Sequence, residues 1–240
     1  MSILSNLKTD DNIKNETDSV GGGNCLESGL YPVRIATAYL QKSKGGALSV
    51  VVTMKTQDNN ELSQTFWVTS GDSKGNRNYY EKDGVKNYLP GFNQMNSLCL
   101  LTVGKELSEL DVEEKVVNVY SFEAGAKVPT TVPMIMDLIG AEVIVGLLKQ
   151  TVDKNVKDAA GNYVPSGDTR DENEVDKLFH ATSRRTTSEI RSEAAEATFI
   201  NDWEAKWAGK TKNKAKGAAG TEGALVTKPT QERPTKSLFG

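Results

Sequence analysis

The residues from Leu48 to Val68 alternate between hydrophobic and polar with a period of two, which is the pattern of strands with one buried face. A polar turn at residues 57–60 divides this stretch into two strands. In the second strand Phe66 falls on the hydrophobic side. Trp67 must then point to the polar side, because neighbouring strand residues face opposite sides of a sheet. The pattern therefore predicts a β-hairpin that presents an indole to solvent.

Further segments extend this hairpin into a predicted barrel. An alternating run at residues 31–39 precedes it, and strand-like runs at 117–122 and 143–152 follow it. Between them, hydrophobic residues from Phe92 to Leu101 recur at spacings of three and four, which predicts a short amphipathic helix. Three strands, a helix and two strands is the order of an OB-fold. The predicted fold class is mainly β, a five-stranded OB-fold barrel with a short helix between strands 3 and 4, although other small barrels share this order.

Composition divides the chain into four predicted regions. Residues 1–26 are polar and acidic and predict a flexible arm, and residues 27–185 predict the OB-fold core with a β-hairpin extension at 154–173. Residues 186–209 predict a C-terminal helix, in which Trp203 and Trp207 share one face because they are four residues apart. Residues 210–240 predict a disordered basic tail ending in Ser-Leu-Phe-Gly. The two tryptophans predict that the helix is anchored on the barrel or on a second subunit.

The charge of the chain is unevenly distributed. The net charge is −3, and residues 206–240 hold eight Lys or Arg against two Glu, or +6, so the first 205 residues carry −9. A partner with a phosphate backbone would therefore have to meet a local basic patch or the tail. Two cysteines are too few for a disulfide framework, and neither a secretory signal nor an apolar run of about 20 residues is present. The expected location is cytoplasmic.

Catalysis has little support in the sequence. His180 is the only histidine, and no nucleophile motif surrounds Cys25 or Cys99. The segment 71–75 is rich in glycine but lacks the spacing of a phosphate-binding loop. We expect a protein that is not an enzyme, with no metal and no cofactor.

A set of aromatic and basic residues is the strongest functional signal. Binders of single strands need aromatic faces on which bases stack and cations that follow the phosphates. The predicted DNA-binding residues are Arg34, Lys42, Lys44, Trp67, Lys74, Arg77, Tyr79, Tyr80, Lys82, Lys86 and Tyr88. The residues of this set from Lys74 to Tyr88 lie in a long polar loop predicted between Gly71 and Pro90. The alternative is that the tyrosines pack this loop onto the barrel and the lysines only keep it soluble.

Several segments together resemble the single-stranded DNA-binding proteins of tailed bacteriophages. These segments are ESGLYPVRI, KGGALSVVV, TFWVTSGDSKGN, YLPGFNQMNSLCLLT, FHATSRRTTSEI, FINDWEAKWAGKTK and the closing KSLFG. The resemblance implies an OB-fold core that coats DNA during viral replication and recombination in the infected bacterial cell, with duplex binding possible. It also implies a C-terminal tip that recruits replication, recombination or transcription proteins, here with Lys236, Leu238 and Phe239 as partner-binding residues.

The tail departs from a pattern found in bacterial and some phage counterparts, which end in an acidic run and a terminal aromatic residue. Phe239 is present, but the acidic run is replaced by Lys and Arg. Autoinhibition of a basic groove by the tail is therefore in doubt, and a basic tail resting on the acidic body is the corresponding hypothesis. A different class of function also fits: a structural or adaptor protein that recruits partners through its C-terminal helix and tail. Either function is compatible with a homo-oligomer.

Overall fold

A computed structural model describes residues 25–121, 123–159, 161 and 163–216. The strands are β1 (Gly29–Lys42), β2 (Leu48–Thr56), β3 (Glu61–Trp67), β4 (Tyr79–Lys82), β5 (Val85–Tyr88), β6 (Glu113–Ser121), β7 (Ala126–Met134), β8 (Glu142–Lys157), β9 (Tyr163–His180) and β10 (Thr211–Asn213). The helices are α1 (Pro90–Thr102), α2 (Thr187–Arg191) and α3 (Phe199–Trp207). The prediction of a mainly β protein is confirmed.

Strand β1 is the centre of the main sheet. It pairs antiparallel with β2 along residues 33–42 and with β8 along residues 29–34, and it touches β7 at Tyr39 and Met134. Strand β3 continues the sheet beyond β2, β9 pairs with β8, and β6 pairs with β7. The short strands β4 and β5 form a separate hairpin. The long β8–β9 hairpin confirms the predicted extension, whose strands pair out to Lys157 and Tyr163.

Strand β8 is buried on both faces, which explains its run of consecutive hydrophobic residues. Val143, Val145 and Leu147 face the main core together with helix α1. Ile144 and Leu148 face a second cluster that contains Trp203 of helix α3. A side chain on Gly146 would place its Cβ 3.0 Å from the Trp203 ring, so a larger residue would force the ring to shift, and glycine suits this close packing.

Trp203 anchors the C-terminal region on the sheet. It is 3% exposed, and its indole nitrogen donates a hydrogen bond of 2.8 Å to Oδ2 of Asp176. Trp207 is half-buried, with the ammonium groups of Lys206 and Lys212 at 5.2 Å and 5.6 Å from its ring. The expectation that the tryptophans anchor the helix on the body of the protein agrees with this packing.

A strand was predicted at residues 117–122 as the fourth strand of the barrel. The strand forms, but its predicted position in the barrel is wrong. Residues 113–121 form β6, which pairs with β7 in a hairpin that meets the main sheet only at Met134. Strand β7 contains two prolines, Pro129 and Pro133. They are tolerated because most of β7 has β6 on one side only, so a proline nitrogen has no second strand to serve.

The single C-terminal helix predicted over 186–209 is also wrong. Helix α2 ends where Glu193 adopts a left-handed conformation with φ of 52°. Glu189 then accepts hydrogen bonds from the backbone N–H groups of Thr198 and Phe199, both at 2.9 Å, and so caps the start of α3. The predicted disorder from residue 210 is wrong at its start, since β10 pairs with β8 in parallel.

The main sheet is open between β3 and β9. There the two strands are linked by Gln64, whose side-chain oxygen accepts a hydrogen bond of 3.1 Å from the backbone N–H of Val175. No backbone ladder closes this gap in the described residues, so the structure does not contain the closed five-stranded barrel that was predicted. Among the helices that the structure describes, none has the length and hydrophobicity needed to cross a membrane.

Candidate nucleic-acid interface

The turn between β1 and β2 is docked on the loop that follows β3. The backbone N–H of Asp72 donates to the carbonyl of Gly45 at 2.9 Å, and Leu48 N–H donates to Oγ1 of Thr69 at 2.8 Å. Gly71 permits this approach, because a Cβ there would lie 2.8 Å from the Gly45 carbonyl oxygen and its φ is +87°. Two segments that are far apart in sequence thus form one end of the sheet.

A small hairpin extends this end. The predicted long polar loop at 71–90 contains β4 and β5, joined by Asp83 and Gly84 with φ of 52° and 77°. Two consecutive residues with positive φ match the type I′ turn that suits a two-residue hairpin, and Asp-Gly is one of its preferred sequences. This dipeptide is the signal by which the hairpin could have been predicted.

The base of the hairpin lies beside Trp67. Leu89 N–H donates to the Asn78 carbonyl at 2.8 Å, and helix α1 begins immediately after. A Cβ on Gly91 would lie 2.4 Å from the carbonyl oxygen of Trp67, so the first turn of α1 packs on the end of β3. We call the surface built from residues 42–47, residues 67–78 and the β4–β5 hairpin the basic end.

Three aromatic rings of the basic end are open to solvent. Trp67 is 47% exposed, as the alternation of β3 predicts, while Tyr80 is 45% and Tyr88 56% exposed. Tyr88 also lies 5.1 Å from the ring of Phe92, which orients it. Their accessible faces provide stacking surfaces for planar groups.

Tyr79 differs from these three. It is half-buried, with the Arg77 guanidinium 5.6 Å and the Lys86 ammonium 5.2 Å from its ring centroid. It pairs across the hairpin with Tyr88. Tyr79 therefore positions two cations by cation–π contact, which is a different role from the base stacking that we predicted for it.

Six cations of the basic end are exposed and lie in two short segments of the sequence. They are Lys42, Lys44, Lys74, Arg77, Lys82 and Lys86. Seven Lys or Arg residues of the described ranges form ion pairs, and these six are among those that do not. Three carboxylates in the same segments, Asp72, Glu81 and Asp83, leave a net charge of +3. The basic end thus carries local positive charge that no ion pair within the described residues neutralises.

Arg34 lies apart from the other predicted residues. Its guanidinium pairs with Glu142 at 2.7 Å, and in β1 it is eight residues from Lys42, or roughly 26 Å along an extended strand. The structure therefore does not bring Arg34 to the basic end. The predicted partner-binding residues Lys236, Leu238 and Phe239 lie outside the described residues.

The histidine and the two cysteines that were considered for catalysis lie in environments that do not favour a catalytic role. Nδ1 of His180 accepts a hydrogen bond of 3.0 Å from the Ser183 N–H, which closes the turn after β9. Burial raises the pKa of Cys99 to about 12 and also raises that of Cys25, so both thiols resist ionisation. No cluster of three His, Cys, Asp or Glu suited to a metal ion occurs in the described part of the chain.

Comparison of this chain with protein-family models and with curated proteins finds no match to either.

Proposed function

We propose that the protein binds single-stranded DNA without sequence preference, across the basic end. The observation that carries this proposal is the presence, in the basic end, of six exposed cations that form no ion pair with the described residues and of three exposed aromatic rings. Tyr88 lies on the face of the β4–β5 hairpin that carries Tyr79, and Tyr80 lies on the opposite face. Carboxylate partners are present for Lys105, Lys149 and Lys214. Cations without a carboxylate partner are available to phosphates, and the counterions condensed on those phosphates are released when the protein binds DNA.

Bases would stack on Trp67, Tyr80 and Tyr88, each contact contributing about 1–3 kcal/mol. Stacking needs a base whose face is exposed, and paired bases within a duplex hide their faces. The surface therefore favours single strands over duplex DNA, and the phosphate contacts alone would allow weaker duplex binding. Since every base has a planar face and every nucleotide a phosphate, this mode needs no particular sequence.

We further propose that the core is a modified OB-fold. If β8 and β9 are the fourth and fifth strands, the first strand pairs with the second and fourth, and the fifth lies between the fourth and third. Helix α1 then precedes the fourth strand, and the β6–β7 hairpin is an insertion. OB-folds bind oligonucleotides on the face of strands 2 and 3, between the loops that follow the first and fourth strands. In this reading Trp67 lies at the end of the third strand, and the β8–β9 extension is the second of those loops.

The proposed cellular role and the proposed partners rest on the resemblance to the single-stranded DNA-binding proteins of tailed bacteriophages. The protein would coat DNA in viral replication and recombination in the cytoplasm of the infected bacterium. Partner proteins would be recruited through Lys236, Leu238 and Phe239.

A charge-matched pair of triple variants tests the proposal. Lys44→Ala, Lys74→Ala and Arg77→Ala remove three unpaired cations of the basic end, while Lys105→Ala, Lys115→Ala and Lys127→Ala remove three cations that form ion pairs elsewhere. Affinity for a labelled oligothymidylate is measured by fluorescence anisotropy over a range of salt concentrations. The first variant should lower the slope of log affinity against log salt by about 2, because each phosphate contact on a single strand contributes about 0.7.

The control variant should keep the slope of the wild-type protein. Equal losses in both variants would show that binding depends on overall charge and not on the basic end. No binding of the wild-type protein to single strands at any salt concentration would overturn the proposal and favour the adaptor function.

A further inference from the structure

Strand β6 is an edge strand with an unusual outer face. Among the described residues it pairs only with β7, and no other described strand pairs with the opposite side of its backbone. Its solvent face carries Val116, which is 68% exposed, and Tyr120, which is 53% exposed. Val112, directly before the strand, is 46% exposed and has the same parity. Long edges with exposed hydrophobic residues are sites of strand pairing, and proteins usually protect them with charge or proline.

The prolines of this hairpin, which could prevent pairing with a further strand, lie in β7 and do not protect the edge of β6. Pro129 and Pro133 belong to β7, which already has β6 as a neighbour. Of the charged residues in β6, Glu113, Glu114 and Lys115 cluster at its beginning, and Lys115 pairs with Glu113 at 2.8 Å. The part of the edge from Val116 onward is uncharged.

We infer that β6 pairs antiparallel with β6 of a second copy of this chain, with the two-fold axis at Val116. The spacing of the hydrophobic residues is self-complementary in this register. Val116 then lies opposite Val116 of the second copy, and Val112 lies opposite Tyr120. Cross-strand hydrophobic pairs of this kind are the unit by which sheets are stabilised.

The charges agree with this register. Glu114 lies opposite Asn118, Glu113 opposite Val119, and Lys115 opposite Val117, so no like charges meet. A shift of the axis to Glu114 would oppose two carboxylates, and a shift to Lys115 would oppose two ammonium groups, each of which destabilises a sheet. The interface joins identical surfaces, so it closes as a dimer and does not propagate into a filament.

Sedimentation velocity of the full chain tests the association. The wild-type protein should shift from monomer to dimer between about 1 and about 100 µM, the range expected of a small interface. Val116→Lys places two ammonium groups opposite each other at the axis and should weaken dimerisation at least about tenfold. Val156→Lys, at a valine of β8 that is 49% exposed, is the matched control and should dimerise like the wild-type protein.

Oxidative cross-linking tests the register in a Cys25→Ser background, since Cys99 is buried. Val116→Cys should form a disulfide between two copies, because directly opposed residues have suitable Cα separations. Asn118→Cys should not, because the two introduced cysteines would be about 13 Å apart along the strands. Cross-linking at Asn118→Cys instead of Val116→Cys would overturn the register, and a monomer at every concentration would overturn the interface.

Discussion

Trp67 and Trp203 show how one residue type serves two different purposes in this protein. Trp203 is 3% exposed, packs on Gly146 and donates its indole N–H to Asp176. Trp67 is 47% exposed at the end of β3. Lys214 near the C-terminal helix pairs with Glu174 at 2.6 Å, whereas the six cations of the basic end have no ion-pair partner among the described residues. Burial and pairing, more than residue type, separate the region that holds the fold together from the region available to a ligand.

Trp203→Ala should have the largest effect, and it should fall on stability. Removal of a large buried aromatic side chain costs about 3–5 kcal/mol of unfolding free energy, and here it also leaves Asp176 without its indole donor. Urea denaturation of the wild-type and variant proteins measures the loss. Oligothymidylate affinity of the folded variant should remain within about twofold of wild type, a difference of about 0.4 kcal/mol. A stability loss below about 1 kcal/mol would contradict the anchoring role.

Trp67→Ala should reverse this pattern. We expect a loss of about 1–3 kcal/mol in affinity for single-stranded DNA, because one stacking surface is removed. The unfolding free energy should change by about 1 kcal/mol or less, because the ring is half exposed. Anisotropy titration and urea denaturation of the same preparation measure the two quantities.

Trp67→Phe is the matched control, since a smaller aromatic ring should retain most of the affinity. If Trp67→Ala unfolds the protein, the indole belongs to the core, and the contrast between the two tryptophans is broken. If it folds and binds normally, bases do not stack on this ring.

Glu189→Gln should have an intermediate effect, on stability alone and in a manner that depends on pH. Burial raises the pKa of Glu189, but hydrogen bonds from the backbone N–H groups of Phe199, Thr186 and Thr198 outweigh it, so the pKa lies below its usual value. A carboxylate with a lowered folded-state pKa stabilises the protein above the pKa of the unfolded chain, and this contribution disappears as the pH falls through the folded-state pKa.

At neutral pH, Glu189→Gln should therefore cost about 1 kcal/mol, the usual value of a helix cap. Thermal unfolding from neutral pH down to about pH 3 should show the gap between wild-type and variant proteins closing below about pH 4, where glutamate begins to protonate. Glu196→Gln, at an exposed position in the same connection, is the control and should match the wild-type protein throughout. A gap that is constant with pH would show that charge plays no part in this cap.

Lys214→Ala should have the smallest effect. The ion pair with Glu174 is partly exposed, at 37% and 35% of the two side chains, and such pairs contribute about 1 kcal/mol or less. A double-mutant cycle with Glu174→Ala measures this coupling. Single-stranded DNA affinity should be unchanged, because this cation is already neutralised. A large loss of affinity would extend the DNA-binding surface to the C-terminal region and weaken the contrast with the basic end.

Local patterns predicted the elements whose residues interact with near neighbours. The spacing from Phe92 to Leu101 agrees with helix α1, and the alternation through Phe66 and Trp67 agrees with the two faces of β3. The Asp83-Gly84 turn was equally local, and the β4–β5 hairpin could have been predicted from it. Helix α2 and helix α3 were merged, because their interruption depends on hydrogen bonds from Glu189 across ten residues.

The sequence by itself determined the hairpin of β2 and β3, helix α1 and which side of β3 carries Trp67, because these follow from the periodicity of neighbouring residues. Only the tertiary structure decided the strand partners, the separation of Arg34 from the other cations, and the docking of Gly45 on Asp72. The physical reason is that strand pairing and ion pairing join residues far apart in the chain. A lysine or a tryptophan has the same letter in the sequence whether or not a distant residue covers it.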